Sequence, residues 1–167
     1  SLQNSIADDK YVPGLKNLAS AAHINGAKIA VQLFHAGREG SIFLNPQKRL
    51  ALAPSSPEDN SKLKKRYREI KEEEIYEVID AFGNAAKRAK EAGFDAVQVH
   101  GAHAYLLSQF LSPGVNKRKD KWGGSLENRL RLHREICHSI REKTGDDYPV
   151  MIKIGVKDGF EGRKMGY

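Results

Sequence analysis

Cysteine is nearly absent, with Cys137 the only one in 167 residues. No disulfide can close within the chain, and no cysteine cluster can hold zinc or an iron–sulfur group. Such scarcity fits a reducing compartment, and the expected location is cytoplasmic. Long apolar runs are also missing, so no stretch is suited to span a bilayer, and no secretory leader pattern opens the sequence. Neither GxGxxG nor GxxxxGK[ST] follows any candidate strand, which removes support for a dinucleotide-type Rossmann domain or a P-loop. Acid is in short supply against base: 21 Asp+Glu face 28 Lys+Arg, a formal charge of +7. That excess favours anionic partners. It is spread over many segments without an aromatic-rich basic stripe, so neither nucleic acid nor a membrane is expected as a partner. The chain lacks an initiating Met, begins in the polar stretch Ser1–Lys10 and stops soon after a strand-like run. A piece of a longer protein is the expectation, because a whole (β/α)8 barrel takes about 250 residues.

What is present alternates. Pro13 suits the first turn of a helix, and Leu15, Leu18, Ala19 and Ala22 fall on one helical face that Asn25-Gly26 closes. Lys28–Phe34 (KIAVQLF) is a short apolar run of the type buried on both faces in a parallel sheet. After the loop His35–Gly40 comes Ser41–Lys71, which has no clear period. It carries three prolines and the charge run Lys62–Arg68, and reads as a solvated excursion in which Lys64, Lys65 and Arg66 face water. Glu72–Glu74 opens a second helix at the end its dipole favours for acids. Ile75, Val78, Ile79, Phe82, Ala86 and Ala89 stripe it, and Gly93 closes it. The strand Ala96–His100 follows within a few residues. The basic loop Gly114–Gly124 then leads to Ser125, a plausible N-cap. Leu126, Leu130, His133, Cys137 and Ile140 share a face of the third helix, with Cys137 read as a small buried apolar residue. Thr144-Gly145 ends that helix, and Val150–Val156 (VMIKIGV) is a third buried-type strand. Helix–strand alternation of this kind predicts an α/β chain with a parallel sheet and right-handed crossovers.

Each predicted strand carries polar residues inside its apolar run: Gln32, then Gln98 and His100, then Lys153. Burying an unpartnered amide costs about 1–3 kcal/mol, and an ammonium far more. Repetition in three strands points to one end of the sheet where such groups meet a polar heterocycle and an anion. His100 ends its strand, and His103 and Tyr105 follow in the next residues. Strand exits that carry proton-handling side chains are where α/β barrels place their chemistry. An alternative is a metal-dependent hydrolase barrel in which His35, His100 and His103 bind zinc and activate water. Against it, Lys153 would repel a cation, and no carboxylate lies close behind the histidines.

Two longer runs carry a family resemblance. Gln32–Arg38 (QLFHAGR) resembles the Q-L-x-H-x-G-R segment of the Old Yellow Enzyme family of flavin-dependent ene-reductases. His100–Arg129 resembles its H-x-x-H-x-Y-L-x-x-F-L-S-P…N-x-R-x-D-x-[YW]-G-G-S-x-E-N-R signature. The similarity runs from Tyr11 to Lys153 and is nearest to the branch of NADH:flavin oxidoreductases and 2,4-dienoyl-CoA reductases. It implies that residues 1–167 form one partial FMN-dependent TIM-barrel domain, about strands 3 to 5 of the (β/α)8 barrel with their helices. NAD(P)H would be the electron donor and an enone or enoyl compound the substrate. By motif position Gln32 would meet the flavin's pyrimidine edge. His100, which also lies at the flavin side, and His103 would bind the substrate carbonyl, and Tyr105 would supply a proton. Lys153 stands where the family usually has Arg, keeping the charge beside the flavin but losing the planar fork. The resemblance also implies that the FMN phosphate site lies on later strands. The chain by itself is therefore expected to bind FMN weakly, to be inactive, and to self-associate through open sheet edges.

Overall fold

The computed structural model describes residues 4–40, 50–57 and 66–156. They fall into two compact units, one built from residues 4–33, 73–100 and 134–153, the other from residues 34–40, 50–57, 66–72, 101–133 and 154–156. Lys62, Lys64 and Lys65 of the predicted charge run lie outside the described residues, and Arg66 is exposed as expected.

The first unit holds a three-stranded sheet: β1 (Ala30–Leu33), β4 (Ala96–Gly101) and β5 (Val150–Ile154), in the order β1-β4-β5. β1 and β4 run parallel in a register that sets Gln32 beside Gln98. The three strands are neighbours as the alternation predicts. Burial corrects the sequence reading for two of them. Only β4 is buried along its length apart from Gln98; β1 buries Leu33 alone, and Met151, Ile152, Lys153 and Ile154 of β5 are all exposed. The reason is position in the sheet: β4 has a strand on each side, whereas β1 and β5 each have one.

The helices of this unit follow their apolar stripes. α1 (Val12–His23) starts with Pro13 in its first turn and buries Leu15 and Ala19, while Leu18 stays 44% exposed. Its buried face is therefore narrower than the sequence suggests. α2 (Glu72–Glu91) buries every predicted stripe residue and also Gly83. In α4 (Leu126–Thr144) the face is rotated from the expected one. Leu132, Ile136 and Ile140 are buried, whereas Leu126 is exposed and Cys137 only half-buried. Burial still pushes the Cys137 thiol up.

Asp95, just before β4, ties this unit together. Its carboxylate accepts from Lys28 Nζ (2.8 Å), from the Ile29 N–H (2.9 Å) and from His23 Nε2 (2.7 Å). Lys28 first, then the Ile29 N–H and His23, hold its pKa far below the usual carboxylate range. Across the helices, Lys143 binds the Asp80 carboxylate and Asn84 Oδ1 (2.9 Å), and the Tyr148 hydroxyl donates to Phe94 O (3.0 Å). Burial first, and the Asp95 charge second, push the Tyr148 phenol up to about 12.

Gly83 marks a close approach of α2 to α4. A Cβ there would lie 2.3 Å from Ser139 Oγ and 3.0 Å from Ser139 O. The hydroxyl can rotate away; the carbonyl is fixed in its helix. Gly83→Ala gains about 1 kcal/mol of helix propensity but meets overpacking that costs typically 1–3 kcal/mol. The expected net loss is up to about 2 kcal/mol, read as a lower urea midpoint with an unchanged m-value. A midpoint at or above that of the parent would show that the helices part at no cost.

The second unit pairs β2 (Ala51–Ala53) in parallel with β3 (Tyr67–Glu69). Both strands fall in the stretch read as a solvated excursion. Ala53, Tyr67 and Ile70 are in fact buried, so the described flanks of that stretch are packed structure. α3 (Leu106–Leu111) buries Leu106, Leu107, Gln109 and Phe110. Gly114–Gly124 is buried in part: Val115, Asn116, Trp122 and Gly123 are inside, while Lys117, Lys119 and Lys121 face solvent. Asn116 Nδ2 donates to Phe110 O and Trp122 O (2.8 Å each), and Trp122 is 1% exposed. Arg118 Nη1 reaches Pro54 O (3.1 Å), Ile70 O (2.9 Å) and Glu69 (3.2 Å), while its Nε and Nη2 grip Asp120. Ser125 caps α4 as predicted, accepting from the Asn128 N–H at 3.2 Å.

His133 is buried on α4 with neither ring nitrogen hydrogen-bonded among the described residues. Burial lowers its pKa to about 4. Below pH ~6.5 the unfolded chain binds a proton that the folded ring refuses. Stability is thus expected to fall as pH drops from about 6.5 to about 4, by about 3 kcal/mol at the acid end. His133→Leu should flatten that part of the pH–stability curve. Parallel curves for parent and variant would show that another group drives acid loss.

Candidate active site

Two constellations carry the predicted site residues. In the first unit, β1 and β4 present Gln32 and Gln98 side by side, because register partners in parallel strands point to one face. Gln32 Nε2 donates to Gln98 Oε1. The Gln32 carbonyl and the Gln98 NH2 remain available among the described residues, one acceptor and one donor on an exposed part of the sheet. His100 stands two residues beyond Gln98 on the same strand, hence on the same face, and is 4% exposed. Lys153, on the neighbouring strand β5, is solvent-exposed, and no carboxylate among the described residues pairs with it. The buried lysine that the sequence suggests is therefore an exposed cation on a sheet edge.

In the second unit, His103 and Ala104 both adopt left-handed backbone, with φ of 56° and 61°. The Tyr105 N–H closes on Ala102 O at 3.3 Å, so the two occupy the centre of a tight turn. Mirror-image turns of this kind normally take Asn or Gly, and a non-glycine residue there costs on the order of 1–2 kcal/mol. Strain of that size persists only where surroundings impose it. Tyr105 leads into α3, and its ring meets the Phe34 ring with centroids 5.3 Å apart.

The loop after β1 lies against this turn. The Leu106 N–H donates to His35 O (3.0 Å), and the Gly37 N–H donates to His35 Nδ1 (3.0 Å). Burial pushes the His35 imidazole below its ordinary pKa. With Nδ1 accepting, the neutral ring carries its proton on Nε2. Gly37 has φ 61°, and a Cβ on it would sit 2.5 Å from Gln109 Oε1. Only glycine fits both demands.

The sequence pattern of the NADH:flavin oxidoreductase / NADH oxidase family matches residues 1–166. The chain belongs to this family. It is 43% identical over 160 residues to an NADH oxidase of Thermoanaerobacter brockii, covering 96% of this chain and 24% of that protein. Among solved structures it resembles the Old Yellow Enzyme of Pichia sp. AKU4542, with TM-score 0.79, 36% identity, and 88% of this chain and 41% of that one covered. A morphinone reductase in complex with tetrahydroNAD is similar at TM-score 0.79 and 34% identity, over 89% of this chain and 45% of that one. The chain therefore spans between about a quarter and just under half of these relatives. Membership in the Old Yellow Enzyme family, expected from the motifs, stands, and the fold is α/β, part of a TIM barrel. FMN and NAD(P)H are the cofactors this family works with.

The zinc-hydrolase alternative does not stand. Among the described residues no group of three or more His, Cys, Asp or Glu is arranged to hold a metal ion. His35 instead spends Nδ1 on the Gly37 N–H. Nor is any helix among the described residues long and apolar enough to cross a membrane. The donor set does suit a flavin. The edge of a pyrimidine-dione alternates carbonyl acceptors with an N–H donor, and the adjacent Gln32 and Gln98 amides offer the complement. Sequence reasoning passed over Gln109. A glutamine inside a short apolar helix carries no signal of its own, and only its 0% exposure marks it.

Proposed function

We propose that this chain is the strand 3 to 5 portion, residues 1–167, of an FMN-dependent NAD(P)H oxidoreductase that reduces activated alkenes. The observation that carries this reading is the hydrogen-bonded Gln32–Gln98 pair, a polar heterocycle's complement on a sheet of the right family. When bound, FMN supplies the hydride carrier between NAD(P)H and the β-carbon of an enone or enoyl compound. Gln32 binds the flavin's pyrimidine edge. Lys153 sets a positive charge near it and, lacking a guanidinium fork, does so through a single point donor. His100 is assigned to the flavin side as well, and with His103 it donates to the substrate's carbonyl oxygen, favouring the enolate as an oxyanion hole does. Tyr105 delivers the proton to the α-carbon. His35 and Arg129 hold backbone, and Arg38 lies beside Glu39, with Nε 3.5 Å from Oε1. Arg129 Nε, for example, donates to Leu111 O at 2.8 Å.

The 167-residue chain alone is proposed to hold FMN weakly, with affinity that fades as salt screens its +7 charge. The test takes the intact protein that contains this sequence. Purification should give a yellow protein that consumes NAD(P)H when an enone is added. A flavin-free preparation, or flavin without enone turnover, would defeat the assignment.

A further inference from the structure

Gln109 is 0% exposed, and both ends of its amide are engaged. Oε1 accepts from the Arg38 N–H at 3.2 Å. Nε2 donates to Ala104 O in a short hydrogen bond and lies 3.5 Å from Ala36 O. The amide's orientation is thereby fixed, since a flip would set its oxygen against two carbonyls and its NH2 against an N–H donor. One side chain thus links the strained His103–Ala104 turn to the loop His35–Arg38, and Gly37 makes room for it. We propose that Gln109 is a positioning residue. Its buried amide holds the left-handed turn in place, and with it His103 and Tyr105, the two side chains assigned to the substrate. This rests on the functional reading above for what the turn serves, but not for the turn itself.

The physical case is one of compensation. Two consecutive left-handed non-glycine residues are strained and need support from their surroundings. The turn's own closing bond, Tyr105 N–H to Ala102 O, is long at 3.3 Å. Ala104 is half-buried, and its carbonyl faces the fully buried Gln109 amide, which provides its partner. Methionine at 109 keeps the volume and removes both hydrogen bonds. The turn then relaxes toward ordinary backbone, carrying Tyr105 off its line.

The test uses Q109M, A104G, the A104G/Q109M pair and Q109M/Y105F, all in the intact flavin-loaded protein. Q109M is expected to keep its flavin and to lose about 10–100-fold in kcat for enone reduction, with KM changed far less. Glycine at 104 adopts the left-handed conformation without penalty. A104G/Q109M should therefore recover at least about tenfold of that loss, which filling or emptying a cavity at 109 would not produce. In the Y105F background Q109M should cost clearly less than in the parent, because one of the two groups it aims is gone and only His103 is left to misplace. Should Q109M fail to fold, recovery of soluble yellow protein by A104G/Q109M supports the proposal, and continued failure overturns it. Equal losses with and without the glycine, or losses that multiply with Y105F, also overturn it. Amide exchange gives an arm independent of turnover: the Arg38 and Tyr105 N–H groups should exchange at least tenfold faster in Q109M. A parent protein that reduces no enone would sink the functional reading while this arm still decides the turn. Unchanged exchange would sink the turn's dependence on Gln109.

Discussion

Tyr105→Phe is expected to slow enone reduction by about 10²–10³-fold in the intact enzyme. The argument is one of removal without disturbance. Phenylalanine keeps the ring that packs at 5.3 Å against Phe34. On the proposed mechanism, what disappears is the hydroxyl proton destined for the α-carbon as negative charge collects on the substrate. A positioned general acid contributes about 10²–10⁴-fold, and water replaces part of it, so the lower half of that range is expected. Reduction of the flavin by NAD(P)H needs no proton from Tyr105 and should stay within about threefold of the parent. Stopped-flow measurement of the two half-reactions separates them. Loss in both halves alike would assign Tyr105 to binding, and loss in neither would remove it from the chemistry.

Arg118→Met should cost about 4 kcal/mol and leave the second unit unfolded near room temperature. The guanidinium is 6% exposed and makes six short contacts with two backbone carbonyls and two carboxylates. Pro54 O and Ile70 O lie in a packed region, and each unsatisfied buried acceptor costs about 1–3 kcal/mol. Glu69 and Asp120 keep access to water and add less. Burial opposes the Asp120 charge, but the hydrogen bonds from Arg118 and the Trp122 N–H outweigh it and keep the carboxyl below its usual range. Arg118→Lys should recover little, because a single ammonium cannot reach donors fanned over that span. Trp122 fluorescence during urea unfolding reads this directly, since Trp122 is the only tryptophan and is buried beside Asp120. A midpoint shift equivalent to less than 1 kcal/mol would mean that water replaces the arginine at no cost.

The parts of this fold that were legible in sequence are those where one physical demand acts over many residues. α2 needs a continuous apolar stripe to bury, and that stripe fixes it over twenty residues. β4 is apolar because it has neighbours on both sides. β5 has the same look without the burial: VMIKI describes what a strand is able to cover, whereas its exposure depends on what stands beside it. β2 and β3 escaped because three residues are too few to show an alternation. Of the site, Gln32, His100, His103 and Tyr105 stood out as polar groups in apolar surroundings or as motif positions. Gln109 did not, and Arg118 did so only as one position of the longer signature, with no role attached. One is an amide in a six-residue helix and the other a cation in a basic loop, and neither residue type tells what it bonds until its partners are seen. Left-handed backbone at His103 and Ala104 was equally hidden, since neither residue type announces it.

The pairing of β1 with β4 joins residues 66 apart in sequence, as does the Ile29 contact with Asp95. Closing a loop of that length costs roughly 4 kcal/mol of chain entropy before any contact repays it. α2, Phe94 and β4, by contrast, are close along the chain and collapse among themselves. The order of assembly follows. The α2–β4 segment is expected to order early and β1 late, fastened by Asp95 once the ends have met. Disturbing the Asp95 clamp should then act as a faster exit rather than a slower entry. Its loss would quicken unfolding and leave the folding rate nearly untouched, which makes this surface carboxylate a determinant of how long the native sheet lasts rather than how fast it appears.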